Sequence, residues 1–157
     1  MRRRIAAAML ALALCLAGCM TARPLRLRSW MDFRYEMLRK YGCIRRLEGK
    51  QYYPWLNVNI YYSGETLPEE VRAEILDGCK AFLSGDAFLD EYIPYCLENI
   101  SDDEIYVDPP MPDIVVEIRR YGADERGYRM EASYYKEGYR SDQEMTVDRY
   151  QTWYQMD

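Results

Sequence analysis

The stretch that decides the fold is residues 56–85, LNVNIYYSGETLPEEVRAEILDGCKAFLSG. Apolar and polar side chains alternate over residues 56–62, which is the period of a half-buried strand. After a Ser-Gly pair, apolar residues recur with the spacing of a helix. Thr66 and Glu69 have the spacing of a capping box at its start, and Gly85 predicts its end. A strand followed directly by an amphipathic helix is therefore the nucleus of the predicted domain.

The sequence on either side of this nucleus predicts two more helices. Residues 29–41 carry a wide apolar stripe after Ser29, which we interpret as an N-cap. Between that helix and the nucleus, residues 48–50 predict the turn of a short hairpin. After the nucleus, a shorter helix is predicted to begin at Asp86 and to be broken or kinked by Pro94.

The last third of the chain predicts strands. Residues 114–119 and 128–135 alternate, and residues 122–127 have the composition of a hairpin loop. From Ser141 onward the pattern fits a third strand or a capped helix, and we favour the strand. Helices first and strands last indicate an α+β fold, a two-layer arrangement with an antiparallel sheet of about four strands and helices packed on one face.

The first nineteen residues have the layout of an export signal. Three arginines are followed by an apolar run over residues 5–17, and the segment ends in Leu16, Ala17, Gly18 and Cys19. This ending resembles the lipobox of bacterial lipoproteins, a branched aliphatic residue and two small residues before the cysteine. The resemblance implies that the Cys19 thiol carries a diacylglyceryl group, with acyl chains such as palmitate, and that a dedicated peptidase cuts just before it.

The resemblance divides the chain into three parts: a signal peptide over 1–18, a lipid-anchored tether over 19–28, and one α+β domain over 29–157. It implies a location outside the cytoplasm, anchored to the cell membrane or outer membrane. A membrane span would need about 20 apolar residues, more than the run provides. An ordinary secretory signal would more usually end in Ala-x-Ala, with no demand for cysteine.

Composition excludes several classes of function. The whole chain has a net charge of −5, and removal of the three signal arginines leaves 18 basic against 26 acidic residues, a net −8. That balance argues against a nucleic-acid partner. Histidine is absent, which removes the commonest general base and the commonest zinc ligand.

The mature chain keeps three cysteines besides Cys19. Cys79 and Cys96 lie on consecutive predicted helices and are candidates for a disulfide, which would contribute about 3 kcal/mol. The alternative is that Cys79 is a core residue on an apolar stripe. Three scattered cysteines without histidine do not predict a metal site, and no motif predicts a cofactor.

Aromatic residues are the most unusual feature of the mature part, since the chain has 16 Tyr and 3 Trp. If Ile114, Val116 and Ile118 face the helices, the other face of the sheet carries aromatic and basic residues. We predict a binding surface there, made by Tyr121, Tyr135, Tyr139, Arg119 and Arg129. The alternative is that the tyrosines fill cross-strand positions.

These observations predict a non-catalytic binding or accessory module that presents an aromatic surface to cell-wall glycan or to an envelope protein. The alternative from another class is a small wall-directed hydrolase that uses two carboxylates. The sequence alone does not select one pair among its 26 acidic residues.

Overall fold

A computed structural model describes residues 22–52, 54–99, 111–136 and 145–156 of the chain. The described part forms three helices and six strands, so the predicted α+β class is confirmed. In chain order the elements are β1 (Arg23–Pro24), α1 (Arg28–Lys40), β2 (Ile44–Tyr52), β3 (Trp55–Tyr62), α2 (Glu69–Leu83), α3 (Asp86–Asn99), β4 (Asp113–Arg120), β5 (Tyr128–Ala132) and β6 (Tyr154–Met156). Among these helices there is none with the length and apolar content that a bilayer span requires.

The six strands form one mixed sheet in the order β1 to β6. Neighbouring strands are antiparallel, except that β3 and β4 are parallel. The prediction of about four strands, all antiparallel, is therefore only roughly right. The parallel pair arises because α2 and α3 connect β3 to β4, and a helical crossover returns the chain in the same direction. Strand β1 was not predicted, because a strand of two residues is too short to show a periodic pattern.

One face of the sheet is apolar and is covered by the helices. On β3 and β4 this covered face consists of Leu56, Val58, Ile60, Ile114, Val116 and Ile118. All six are at most 3 % exposed and form one core with Trp30, Ile75 and Leu89 of the helices. Burial of each such side chain contributes about 1.5–3 kcal/mol. The predicted inward face of β4 is confirmed.

The predicted turn at residues 48–50 is wrong, because β2 continues through it. Gly49 lies in mid-strand, where a Cβ would be 2.9 Å from Trp30 Cζ2. The glycine therefore lets the indole ring of α1 approach the sheet backbone. The chain reverses later, between Tyr52 and Trp55, which pair with each other.

The helices are confirmed, but both predicted caps are wrong. Ser29 is the second residue of α1, and its N–H and hydroxyl both donate to Glu91 Oε2 of α3 at 3.0 Å. The carboxylate of a neighbouring helix thus satisfies a free donor at the start of α1. Helix α2 begins at Glu69 after Pro68, with no side-chain cap, so Thr66 and Glu69 do not form the predicted box.

Of the two alternatives predicted for Pro94, a break or a kink, the break is wrong, because helix α3 continues through Pro94 to Asn99. Pro94 is exposed, whereas Tyr92 and Cys96 on either side of it are fully buried. The burial of these two side chains offsets the hydrogen bond that proline removes from a helix.

The folded domain begins before the predicted boundary at residue 29. Arg23 and Pro24 pair with β2, and Leu25 N donates to Gly49 O at 2.9 Å. The Leu25 side chain is buried in the core. The tether predicted over 19–28 therefore belongs to the sheet from Arg23 onward, because Leu25 fills space beside Gly49.

The chain after β5 departs from the predicted alternation. Tyr135 was predicted to be exposed, but it is 5 % exposed and contacts Tyr134 edge to face at 5.1 Å. Tyr134 in turn contacts the fully buried Tyr150 at 5.4 Å. The prediction is wrong because β5 ends at Ala132, so the period of two no longer applies at Tyr135.

The third strand predicted from Ser141 is shorter than expected. Residues 141–144 lie outside the described part of the chain. In the described remainder, Val147 forms one isolated bridge with Tyr135, and β6 covers only Tyr154–Met156.

Candidate functional site

The face of the sheet opposite the helices is polar, and we call it the open face. The strand register places its residues in rows: Arg46, Glu48, Lys50, Asn57, Asn59, Tyr61, Val115, Glu117, Arg119, Arg129 and Glu131. Most of these side chains are half-buried. Val115 is only 6 % exposed, because Asn57 and Glu131 flank it on the neighbouring strands. The open face is thus a continuous polar surface with no described helix over it.

One end of the sheet is an arginine corner, made by Arg45, Arg46, Arg119 and Arg120. Arg46 and Arg119 lie in the rows of the open face, whereas Arg120 follows Ile118 in the opposite row, at the end of β4. The Arg119 guanidinium lies 4.8 Å from the centre of the Tyr61 ring, and its Nη2 donates to Tyr61 Oη at 2.8 Å. This hydrogen bond raises the pKa of Arg119 above its ordinary value, against a smaller opposing effect of burial. The Arg46 guanidinium approaches the same ring at 5.8 Å, so two cations of different strands share one aromatic ring.

The sequence builds this corner with a bulge and with two strand ends. The register of β2 against β3 shifts between Ile44 and Arg46, and bulges re-aim side chains at sheet edges. Both Arg45 and Arg46 are exposed as a result. Tyr121, which follows β4, is 57 % exposed and contacts Tyr61 edge to face at 6.2 Å.

The other end of the open face holds a carboxylate pair, Asp113 and Glu131. Asp113 begins β4, and Glu131 lies on β5 opposite Val115, so the two carboxylates are diagonal neighbours. Burial raises the pKa of Asp113, and the hydrogen bond with Ser133 opposes the rise. Burial also raises the pKa of Glu131, to which the charge of Asp113 adds. Two neighbouring carboxylates with raised pKa values are candidates for acid–base chemistry.

Aromatic rings flank this pair on both sides. Trp55 pairs with Asp113 and is 41 % exposed, while Tyr154 pairs with Glu131 and is 62 % exposed. Because Asp113 and Arg119 are six residues apart on β4, roughly 20 Å separates the carboxylate pair from the arginine corner. The open face therefore has exposed aromatic rings at both of its ends.

The disulfide that the sequence offered for Cys79 and Cys96 is not formed. Both cysteines are buried and are free thiols. Burial raises the pKa of each thiol to about 12, and at Cys96 a hydrogen bond with Tyr92 opposes part of the rise. The alternative, Cys79 as a core residue, is the one that the structure supports. Within the described residues, no group of three metal-ligating side chains occurs.

The residues predicted for the binding surface divide among three environments. Tyr121 is exposed, and Arg119 and Arg129 lie half-buried on the open face, as predicted. Tyr135 is buried and does not contribute to this surface. Tyr139 lies outside the described residues, as do the lipid attachment site Cys19 and the lipobox residues Leu16, Ala17 and Gly18.

Sequence reasoning missed most of the arginine corner and all of the carboxylate pair. A signal for the corner was present, since the sequence has an Arg-Arg doublet at the start of β2 and another at the end of β4. No comparable signal marks the pair, because Asp113 and Glu131 come together only through strand pairing.

Comparisons of this chain with protein-family models, with curated proteins and with solved structures find no match. The function must therefore be argued from the open face itself.

Proposed function

We propose that this chain is a lipid-anchored protein of the bacterial envelope that binds cell-wall glycan through its open face. The observation that carries the proposal is the exposed set of aromatic rings on a sheet face left uncovered by the described helices, namely Trp55, Tyr121 and Tyr154. Exposed rings bind the apolar faces of sugars, and neighbouring polar side chains bind their hydroxyl groups.

Two further features support a glycan rather than a small ligand. The rings are spread along the sheet, with roughly 20 Å between its two ends, which suits an extended polymer. Between them lie Asn57 and Asn59, whose amides both donate and accept hydrogen bonds. The described open face also carries charged side chains such as Glu48, Glu117 and Arg119, and charged residues are depleted at the core of protein–protein interfaces.

The test is co-sedimentation of the full chain with purified cell-wall material. We expect Trp55→Ser and Tyr121→Ser each to reduce the bound fraction several-fold. The matched control is Tyr35→Ser, because Tyr35 is 66 % exposed on α1, in the helix layer. Equal loss in all three variants, or undiminished binding in the first two, would contradict the proposal. Capture of a protein by the wild-type open face, with no wall binding, would favour the accessory role instead.

The lipid anchor is a separate part of the proposal and has its own test. Without the Cys19 thiol no diacylglyceryl group can be attached, so Cys19→Ala should remain unprocessed and unlabelled by a fatty-acid analogue. Cys15→Ala is the matched control, since it changes a cysteine in the same segment and keeps the lipobox. Lipid on the Cys19→Ala variant would refute the anchor and leave the glycan proposal untouched.

A second candidate function is hydrolysis of the wall glycan by the carboxylate pair. The specific observation in its favour is that Asp113 and Glu131 both have raised pKa values and lie between two exposed aromatic rings. One group would act as the general acid and the other as base or nucleophile. Release of soluble sugars by the wild type, abolished in both Asp113→Asn and Glu131→Gln, would establish it. Wall binding without release would leave the binding function alone.

A further inference from the structure

A pocket opens at the arginine corner, where the parallel strands β3 and β4 end. Its volume is about 480 Å³, and it is lined by Arg45, Arg46, Ser63, Gly64, Arg120 and Tyr121. Three adjacent strands contribute to it, because Arg46 pairs with Tyr61 and Tyr62 pairs with Arg120. Ligands of open α/β sheets bind at the carboxyl ends of parallel strands, and this pocket lies at the carboxyl ends of the parallel pair β3 and β4.

The charge of this pocket is unbalanced. Three arginines line it and no carboxylate does. Arg46 is paired with Glu48, but neither Arg45 nor Arg120 has a side-chain hydrogen bond or an ion pair with any residue that the structure describes. Next to the pocket, the buried Nε of Arg119 also lacks an acceptor among the described residues. In a mature chain with eight more acidic than basic residues, these free donors are a local excess of positive charge.

We infer that this pocket binds an oxyanion group, a carboxylate or a phosphate, carried by the glycan on the open face. Guanidinium groups present paired N–H donors that match the oxygens of carboxylates and phosphates. Ser63 and Gly64 have a small side chain and none, so they leave room in the pocket for a substituent of a sugar. The inference rests on the proposed glycan binding and names its chemical class, an anionic glycan.

Tyr121 connects the pocket to the glycan. It lines the pocket, and its exposed ring is held edge-on against Tyr61 of the open face. A sugar stacked on this ring would therefore place an acidic substituent among the arginines. The arginine side chains supply the charge recognition, and the tyrosine supplies the contact with the ring of the sugar.

The experiment titrates the full chain, purified in detergent, with oligogalacturonate, a carboxylate-bearing glycan, and with maltohexaose, a neutral one. We expect Arg45→Gln/Arg120→Gln to weaken oligogalacturonate binding at least about tenfold, the loss expected for charge-assisted hydrogen bonds. Maltohexaose binding should not change. The matched control is Arg28→Gln/Arg39→Gln, which removes the same charge from the exposed surface of α1. Thermal melting of both double variants checks that the fold is retained.

Equal losses in the two double variants would overturn the inference, because they would show a general charge effect. Wall binding by the wild type with no preference for oligogalacturonate would also overturn it, while the proposed glycan binding would stand. Failure of the wild type to bind wall material would refute the proposed function itself. Inorganic phosphate and acetate, used as competitors at equal ionic strength, identify the oxyanion. Stronger displacement by phosphate assigns the pocket to phosphate groups, stronger displacement by acetate assigns it to carboxylates, and displacement by neither would overturn the inference.

Discussion

The two faces of the sheet are made by alternate residues of the same strands, yet they differ in burial and in polarity. On β3, Val58 and Ile60 are fully buried under the helices, whereas Asn57 and Asn59, which alternate with them, are half-exposed on the open face. The covered face supplies the burial that stabilises the fold. The side chains of the open face contribute little to this burial, so they are available to bind a ligand. It follows that substitutions at neighbouring residues of one strand can change the stability of the fold and the binding of a ligand separately.

The largest expected effect comes from the covered face. Ile60→Ala should lower the free energy of unfolding by about 3 kcal/mol, since it leaves a cavity among fully buried side chains. Asn59→Ala, one residue earlier and on the open face, should change it by less than about 0.5 kcal/mol. Urea denaturation of the two variants measures both values. Similar losses in the two would mean that the open face is also structural, and the contrast would fail.

A second effect, smaller than the first, concerns the edge of the sheet. A chain truncated to begin at Arg28 loses β1 and the buried Leu25, and should be destabilised by about 2 kcal/mol relative to one that begins at Ala22. The boundary predicted from the sequence would make the two chains equally stable. Thermal unfolding of both, followed by circular dichroism, distinguishes these outcomes.

Strand β1 is one of the elements that the sequence does not predict, and it differs in kind from those that the sequence does predict. Elements whose periodic pattern persists over many residues were predicted correctly. They are the three helices and the inward face of β4, with Ile114, Val116 and Ile118. Elements that depend on distant partners were not. The strand Arg23–Pro24 has no pattern of its own and exists only because β2 lies beside it. The local sequence around Gly49 predicts a turn, since it contains no sign that the glycine makes space for the Trp30 ring.

The same distinction applies to the candidate site. Tyr121 and Arg119 were predicted because alternation along β4 sets their direction. Tyr135 was misplaced because the alternation ends at Ala132, before it. The pairing of Asp113 with Glu131 depends on the register between two strands, which no local pattern encodes. Contacts that depend on the register between two strands are therefore the ones that cannot be predicted from a single sequence.

The smallest expected effect tests the cost of placing carboxylates on the open face. Because the pKa of Asp113 is raised in the folded protein, the folded state binds protons more tightly there than the unfolded state. The stability due to this group is fully present below its ordinary pKa, and is lost as the pH rises through the raised pKa of the folded state. At pH 7 the ionised carboxylate thus opposes folding, and its charge also raises the pKa of Glu131.

Asp113→Asn should therefore raise the melting temperature at pH 7 by a few degrees, and this gain should shrink as the pH falls below the ordinary range of a carboxyl group. Asparagine keeps an oxygen acceptor for the hydrogen bond with Ser133, so that contact does not confuse the result. The matched control is Asp124→Asn in the exposed loop between β4 and β5, which should change the melting temperature little. A gain that is equal in both variants, or independent of pH, would show that the carboxylate of Asp113 carries no cost. The open face would then differ from the covered face only in polarity, and the case for a tuned acid pair would lose its physical basis.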